Sequence, residues 1–206
     1  MKPQLKKIRY KHKLVATLLQ GKEKVLDIGY AKHPNPFLNN AHGIDIQDLG
    51  KPANFIETKI ANLNTDKIPY PNKFFDGITA CGLIEHLENP QDFLRECNRV
   101  LKIGGKLVLT TPNILGYMNV LGELLNRPDG DKGAHFQEYS QRVLKRILRR
   151  NGFSNVQVRG MFFRLNKRFW FKTKNCWLSP QLLAMGTKAK NPETKIMYGD
   201  GTIISD

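Results

Sequence analysis

Residues 68–113 read IPYPNKFFDGITACGLIEHLENPQDFLRECNRVLKIGGKLVLTTPN, and the fold is decided within them. FFDGITAC (74–81) is a short, mostly apolar run, expected as a buried strand. LIEHLENPQDFLRECNRVL (83–101) then switches to helical spacing. Leu94, Cys97, Val100 and Leu101 share one stripe, which predicts a single helix with Cys97 in the core. Gly104 and Gly105 are expected to stop that helix, and KLVLTT (106–111) to form the next strand, closed by Pro112. Strand, helix and strand in this order are the repeating unit of a parallel sheet.

Toward the N-terminus the same pattern continues. KVLDIG (24–29), HGIDI (42–46) and the run from Phe55 to Ala61 each predict a strand. Only fourteen positions separate Gly29 from Gly43, and Pro34 and Pro36 fall between them, so any helix there must be short or irregular. Beyond Asn113 the chain becomes loop-rich, with Asn126, Pro128, Gly130 and Gly133, before a basic helix from about Ser140 to Arg150 that Asn151 and Gly152 end. VQVRG (156–160) and LLAMGTKA (182–189) read as closing strands on either side of the aromatic, basic segment MFFRLNKRFWFKTKNCW (161–177). The expected organisation is a basic N-terminal arm or helix (1–22), one α/β domain (23–190) and a polar tail (191–206).

Composition agrees with one globular domain: 206 residues, 40% apolar and 25% charged. No apolar run approaches a membrane span, and MKPQLKKIRYKHK lacks the apolar stretch of a signal peptide, so a cytoplasmic location is expected. Cys81, Cys97 and Cys176 match neither a disulfide framework nor a zinc motif, and no metal site is expected. The net charge of +15 is clustered. Six Lys/Arg lie in residues 1–13, and eleven lie between Arg142 and Lys174, a stretch without Asp or Glu. Such a field attracts phosphate-bearing partners, whether an anionic membrane surface, nucleic acid or a nucleotide-linked molecule; the alternative is a solvated basic face.

A strand ending in Asp27 and Gly29 before a tight turn suits a ligand that a Cβ would push away. Asp45, closing the next strand, can accept both hydroxyls of a ribose, or serve only as a turn residue or helix cap. VLDIGYA, GIDI, ANLNTDKIPYPNKFFDGI, ACGLIEHLENPQDFLRECNRVLKIGGKLVLTTPN and HFQEYS followed by RILRRNGF resemble, in order, the motifs of class I S-adenosylmethionine-dependent methyltransferases. The resemblance covers about residues 24–153. It implies a Rossmann-like fold, a mostly parallel seven-stranded sheet with helices on both faces, and S-adenosylmethionine as cofactor. It further implies that Asp27, Gly29 and Ala31 line the methionine end, that Asp45 binds the ribose and Ile46 packs on adenine, that Asn62 and Leu63 flank the adenine, and that Cys81 offers backbone contacts to the methionine part. The sequence departs from the usual G-x-G-x-G pattern, with Gly29, Ala31 and His33 in its place and Tyr30 at a commonly small position, which predicts a crowded turn. Asn62 replaces the common Asp.

Methyl transfer from a sulfonium is an in-line displacement, so alignment supplies much of the acceleration and a hydroxyl acceptor gains from a general base. His86, in the E-H position after the fourth strand, and His135, in HFQEYS, are the catalytic candidates. Tyr117, Tyr139 and Glu138 are weaker ones. Each histidine also has a structural reading, His86 on the first turn of the helix and His135 as a loop or cap residue. The fourth strand is followed by ACGLIEH and not by an Asn/Asp-Pro-Pro-Tyr motif, which argues against methylation of base amino groups. The resemblance favours a small molecule, sugar or lipid-linked intermediate, with oxygen the expected acceptor atom. The interleaved aromatic and basic residues of 161–180 can sit at an anionic membrane interface, stack nucleic-acid bases, or complete the core with the basic groups solvated. The alternatives are a nucleic-acid methyltransferase that uses the basic surface, with nucleic acid the less favoured partner, and a non-catalytic binding module of the same fold.

Overall fold

The computed structural model describes residues 3–125, 135–164, 170–189 and the pairs 196–197 and 203–204. After helix α1 (Pro3–Leu18) come strands β1 (Val25–Ile28), β2 (Ala41–Asp45), β3 (Phe55–Ile60) and β4 (Phe75–Cys81). A single 3-10 turn (Ile84–His86), α2 (Pro90–Val100) and β5 (Leu101–Pro112) follow, then α3 (Tyr117–Leu124), α4 (Gln141–Arg150) and β6 (Phe153–Gly160). A small hairpin of β7 (Phe162–Arg164) and β8 (Trp170–Lys172) precedes β9 (Gln181–Lys188). Beyond it β10 (Ile196–Met197) pairs antiparallel with β11 (Ile203–Ile204). The expected loop residues Asn126, Pro128, Gly130 and Gly133, together with Lys167, Arg168 and Phe169, lie outside the described residues.

Seven strands form one sheet in the order β3-β2-β1-β4-β5-β9-β6, in which β9 runs antiparallel to both neighbours while β1 to β5 pair in parallel. Because successive strand residues point to opposite faces, the sheet feeds two cores. Leu26, Ile28, Leu107, Leu109, Leu182 and Ala184 meet Phe93, Leu94, Cys97 and Val100 of α2 and Leu144 and Leu148 of α4. On the other face Val25, Val108 and Leu183 meet Val15 of α1, Leu19, Met161 and Phe162. This is the expected Rossmann-like α/β architecture with helices on both faces.

The helix expected to run unbroken from Leu83 to Leu101 is interrupted. A proline disfavours helical backbone in the residue before it. Asn89, at φ −121° and ψ 81°, instead caps α2 by accepting from the Asp92 amide, and Pro90 opens the helix. Glu85 and His86 are therefore set on a separate tight turn. Gly104 and Gly105 do not end α2, which stops when Leu101 turns extended. They lie inside β5, where Gly104 at φ +77° accommodates a shift in the β4–β5 register. Between β1 and β2 the chain forms turns and no helix.

Candidate functional site

In an open parallel sheet the ligand crevice lies beyond the C-terminal ends of the strands, where the strand order reverses. Here that point falls between β1 and β4, because the chain leaves β1 for β2 on one side and returns to β4 on the other. A cavity of about 520 Å³ opens there, within the usual range for small-molecule sites. Asp27, Gly29, Asp45, Ile46, Asn62, Leu63, Cys81 and His86 all line it.

Asp45 holds the β1 turn against the end of β2. Its Oδ2 accepts from the Ala31 amide at 2.8 Å and its Oδ1 from the Gln47 amide at 3.0 Å. Each carboxylate oxygen keeps acceptor capacity toward the cavity. Ala31 is not among the lining residues: its amide positions Asp45. Its φ is not positive, so the residue carries no left-handed strain, whereas Gly29 sits at φ +74°. The expected crowding by Tyr30 does not occur. Its ring is buried on the far face against Phe55, filling the space a Cβ on Gly43 would take.

Asp27 is buried, and burial pushes its carboxyl up to about 7, against the pull of the Asn35 amide that donates to Oδ2 at 3.3 Å. Asn35 also donates from its side chain to the His12 carbonyl, which fastens the irregular β1–β2 connection to α1. That bond brings Lys11 and His12 to the cavity wall beside Lys32 and His33. His12 belongs to the stretch expected as a basic N-terminal arm or helix. No local signal marks its new place, since it depends on a contact 23 residues away. Burial, then Lys11 and His33, lower the His12 pKa to about 4, so it is neutral at pH 7.

Asn62 has its amide bound by Asp66 Oδ2, and its side-chain oxygen accepts from the Asn64 amide, while Leu63 packs on the core and Ile46 is 61% exposed at the rim. The Cys81 thiol, 3.6 Å from the Thr79 hydroxyl, is pushed up by burial and is no nucleophile. Cys97 lies in the core as expected.

His135 does not line the cavity but reaches its edge. The Phe136 and Gln137 amides donate to the Glu85 carbonyl, and the His135 ring meets the His86 ring edge-on with centroids 4.8 Å apart. Tyr139 is buried, with its hydroxyl donating to the Ile84 carbonyl at 3.5 Å, so it braces this turn, and burial raises its pKa. Tyr117 stacks on Phe163 instead, and Glu138 is exposed.

The basic segment divides. On α4, Leu144 and Leu148 are buried while Arg142, Arg146, Arg149 and Arg150 face solvent. Among the aromatics Phe162 joins the core, whereas Phe171 and Trp177 are exposed.

Residues 4–158 match the methyltransferase domain family. The chain belongs to that family. Its members are S-adenosylmethionine-dependent class I methyltransferases, as the motif order implied. Over 121 residues it is 33% identical to the mitochondrial ubiquinone biosynthesis O-methyltransferase of Rattus norvegicus, a match that covers 56% of this chain and 35% of that protein. A 56-residue stretch is 41% identical to the chloroplastic 2-methyl-6-phytyl-1,4-hydroquinone methyltransferase of Arabidopsis thaliana, covering 27% and 17% of the two chains. The chain thus spans about a third or less of these curated relatives' length. An S-adenosylmethionine-dependent methyltransferase of Thermotoga maritima, described as a possible histamine N-methyltransferase, shares the fold with a TM-score of 0.69 at 16% identity, over 88% of this chain and 91% of that one.

The residues present fit the family's cofactor. Gly29 and Gly82, both at positive φ, let two facing backbones approach a ligand without a Cβ. Asp45 offers acceptors to a diol, Ile46 an uncovered apolar wall, and Asp27 an anionic counterpart to a cation.

Proposed function

We propose that this protein transfers the methyl group of S-adenosylmethionine to an oxygen of a small apolar or lipid-linked acceptor. The observation that carries the reading is the imidazole pair at the cavity edge: His86 lines the cofactor cavity and His135 stands beside it, on segments 49 positions apart. Asp45 would hold the ribose hydroxyls, Ile46, Asn62 and Leu63 the adenine, and Asp27, Gly29 and Cys81 the methionine end, with Ala31 bracing Asp45. The cofactor supplies a methyl group on a cationic sulfur. The protein aligns the acceptor with it, and His86 or His135 takes the hydroxyl proton as the oxygen–carbon bond forms. One relative is named a ubiquinone biosynthesis O-methyltransferase and another a hydroquinone methyltransferase, which supports a phenolic acceptor.

An anionic membrane surface is the proposed partner. The described residues of α3 include no buried one, and Leu121, Leu124 and the following Leu125 are exposed. Tyr117 of this helix stacks on Phe163 and touches Trp177, and Phe163 meets Phe171, so α3 and the β7–β8 hairpin form one apolar, aromatic surface, while Lys172 holds its ammonium over the Tyr10 ring of α1. Exposed aromatic and aliphatic groups on one face suit a lipid interface, and the clustered positive charge of the chain suits an anionic one. Among the described residues no helix is long and apolar enough to cross a membrane.

Incubation with methyl-labelled cofactor and fractionated cell extract tests the reading. Label is expected in a lipid or small-molecule ether. Label in nucleic acid or protein overturns it, and the exposed arginines of α4 make nucleic acid the alternative that the same experiment detects.

A further inference from the structure

Glu85, His86 and His135 bring one carboxylate and two imidazoles to a single point, with one ligand atom from each lying within 4.8 Å of the others. We propose that this cluster is a binding site for a zinc-class divalent cation. A carboxylate and two imidazoles are a common three-ligand set for such ions, and they leave a coordination position open.

Three features distinguish the cluster from a chance meeting of surface side chains. Glu85 is 3% exposed, and its Oε2 has no hydrogen-bond partner. A carboxylate oxygen buried without a donor is costly and calls for a cation or proton. The buried Thr111 hydroxyl stands close by as a polar neighbour of the Glu85 carboxyl. Second, the scaffold is built across distant segments. The Glu85 carbonyl accepts from both Phe136 and Gln137, at 2.9 and 3.1 Å, which fixes the residue next to His135 directly over the turn that carries Glu85 and His86. Third, the Asn89–Pro90 break frees that turn from α2, so consecutive residues can aim at one point. Tetrahedral ligands at ordinary zinc distances stand about 3.4 Å apart, so binding draws the three together by rotation of their side chains.

His86 also lines the cofactor cavity, which puts the open position at the acceptor's side. The consequence for catalysis rests on the oxygen-acceptor reading above. A hydroxyl held by the cation becomes more acidic and loses its proton to solvent; its oxygen then bonds the methyl carbon as the carbon–sulfur bond breaks and neutral S-adenosylhomocysteine leaves. In that case the histidines hold the cation and are not themselves the base.

The test uses the full chain, stripped by a chelator and dialysed, titrated with Zn²⁺ by calorimetry and with Co²⁺ by visible absorption. One equivalent is expected to bind, with the d–d bands of a low-coordinate Co²⁺ site. Glu85→Gln and His135→Ala should each weaken binding at least tenfold, while His135→Ala keeps its affinity for S-adenosylhomocysteine as evidence of an intact fold. Equal binding by wild type and both variants, or no binding by wild type, overturns the site. Neither result depends on the acceptor. Label entering a nitrogen or carbon acceptor sinks the oxygen reading and leaves the titration untouched.

Discussion

The cofactor cavity and the proposed acceptor side beyond its His86 edge are built differently. On the cofactor wall most polar contacts are local: Asp27 meets Asn35, Asp45 meets Ala31, and Asn62 meets Asp66, over 8, 14 and 4 positions, with the Asn35–His12 bond across 23 the longer exception. The proposed acceptor side depends on long closures outside the cavity lining, with Tyr139 reaching Ile84 across 55 positions and Asn113 donating to the Cys176 and Ser179 carbonyls across 63 and 66. A wall of short turns holds one shape for one ligand. A wall of long closures can be re-formed around another acceptor by changing the segments that meet there, which is how one fold serves many chemistries.

If the division is correct, damage to each wall has a different signature. The largest effect is expected on the acceptor wall: replacing by Ala whichever of His86 and His135 handles the acceptor proton or its cation should lower turnover about 10²- to 10⁴-fold. For His135→Ala the affinity for S-adenosylhomocysteine should not change. Full turnover in both variants would mean that alignment alone drives the reaction.

On the cofactor wall Gly29→Val comes next. At φ +74° a β-branched residue is strained whatever the space around it, and the nearest side chain, Leu83, is only in ordinary contact at 3.6 Å. The obstacle is therefore the backbone. Relieving ~1–3 kcal/mol of strain must move a turn whose amide bonds the Ile44 carbonyl, and cofactor affinity should fall by about a hundredfold. Calorimetry on a variant that keeps its far-ultraviolet dichroism checks this, and unchanged affinity would place the cofactor turn elsewhere.

Asp45→Ala should weaken cofactor binding at least tenfold, ~1.4 kcal/mol, since it removes a charged acceptor and also frees the Ala31 and Gln47 amides. An equal loss from Ala31→Gly, which keeps those bonds, would show that turn conformation matters more than the carboxylate.

The smallest effect sharpens the comparison through pH. Asp27 has its pKa raised to about 7 in the free protein, so its contribution to stability is fully present below its unfolded value near 4 and is lost as pH rises through 7. A cationic cofactor favours the ionised form. Acidification from pH 8 to 6 should therefore weaken S-adenosylmethionine binding several-fold while it raises the melting temperature of the free protein, and Asp27→Asn should flatten both trends. Trends of the same sign would separate Asp27 from the cofactor.

What the sequence by itself determined was the order of strands and helices, the ordered motifs of the family and most of the cofactor wall. Strand ends and turn residues have partners close by, so Asp27, Gly29 and Asp45 stand out in the local pattern, whereas Asn62 is reached only through the family resemblance. Tertiary structure alone decided the rest. It turned Tyr30 away from the ligand into the core, drew His12 to the cavity through Asn35, and converted Ala31 from a lining residue into a brace. It also set Glu85 and His86 on a separate turn and brought His135 over them. Each of these outcomes rests on a hydrogen bond or packing contact outside the local pattern, and periodicity carries no information about which distant segments close on one another.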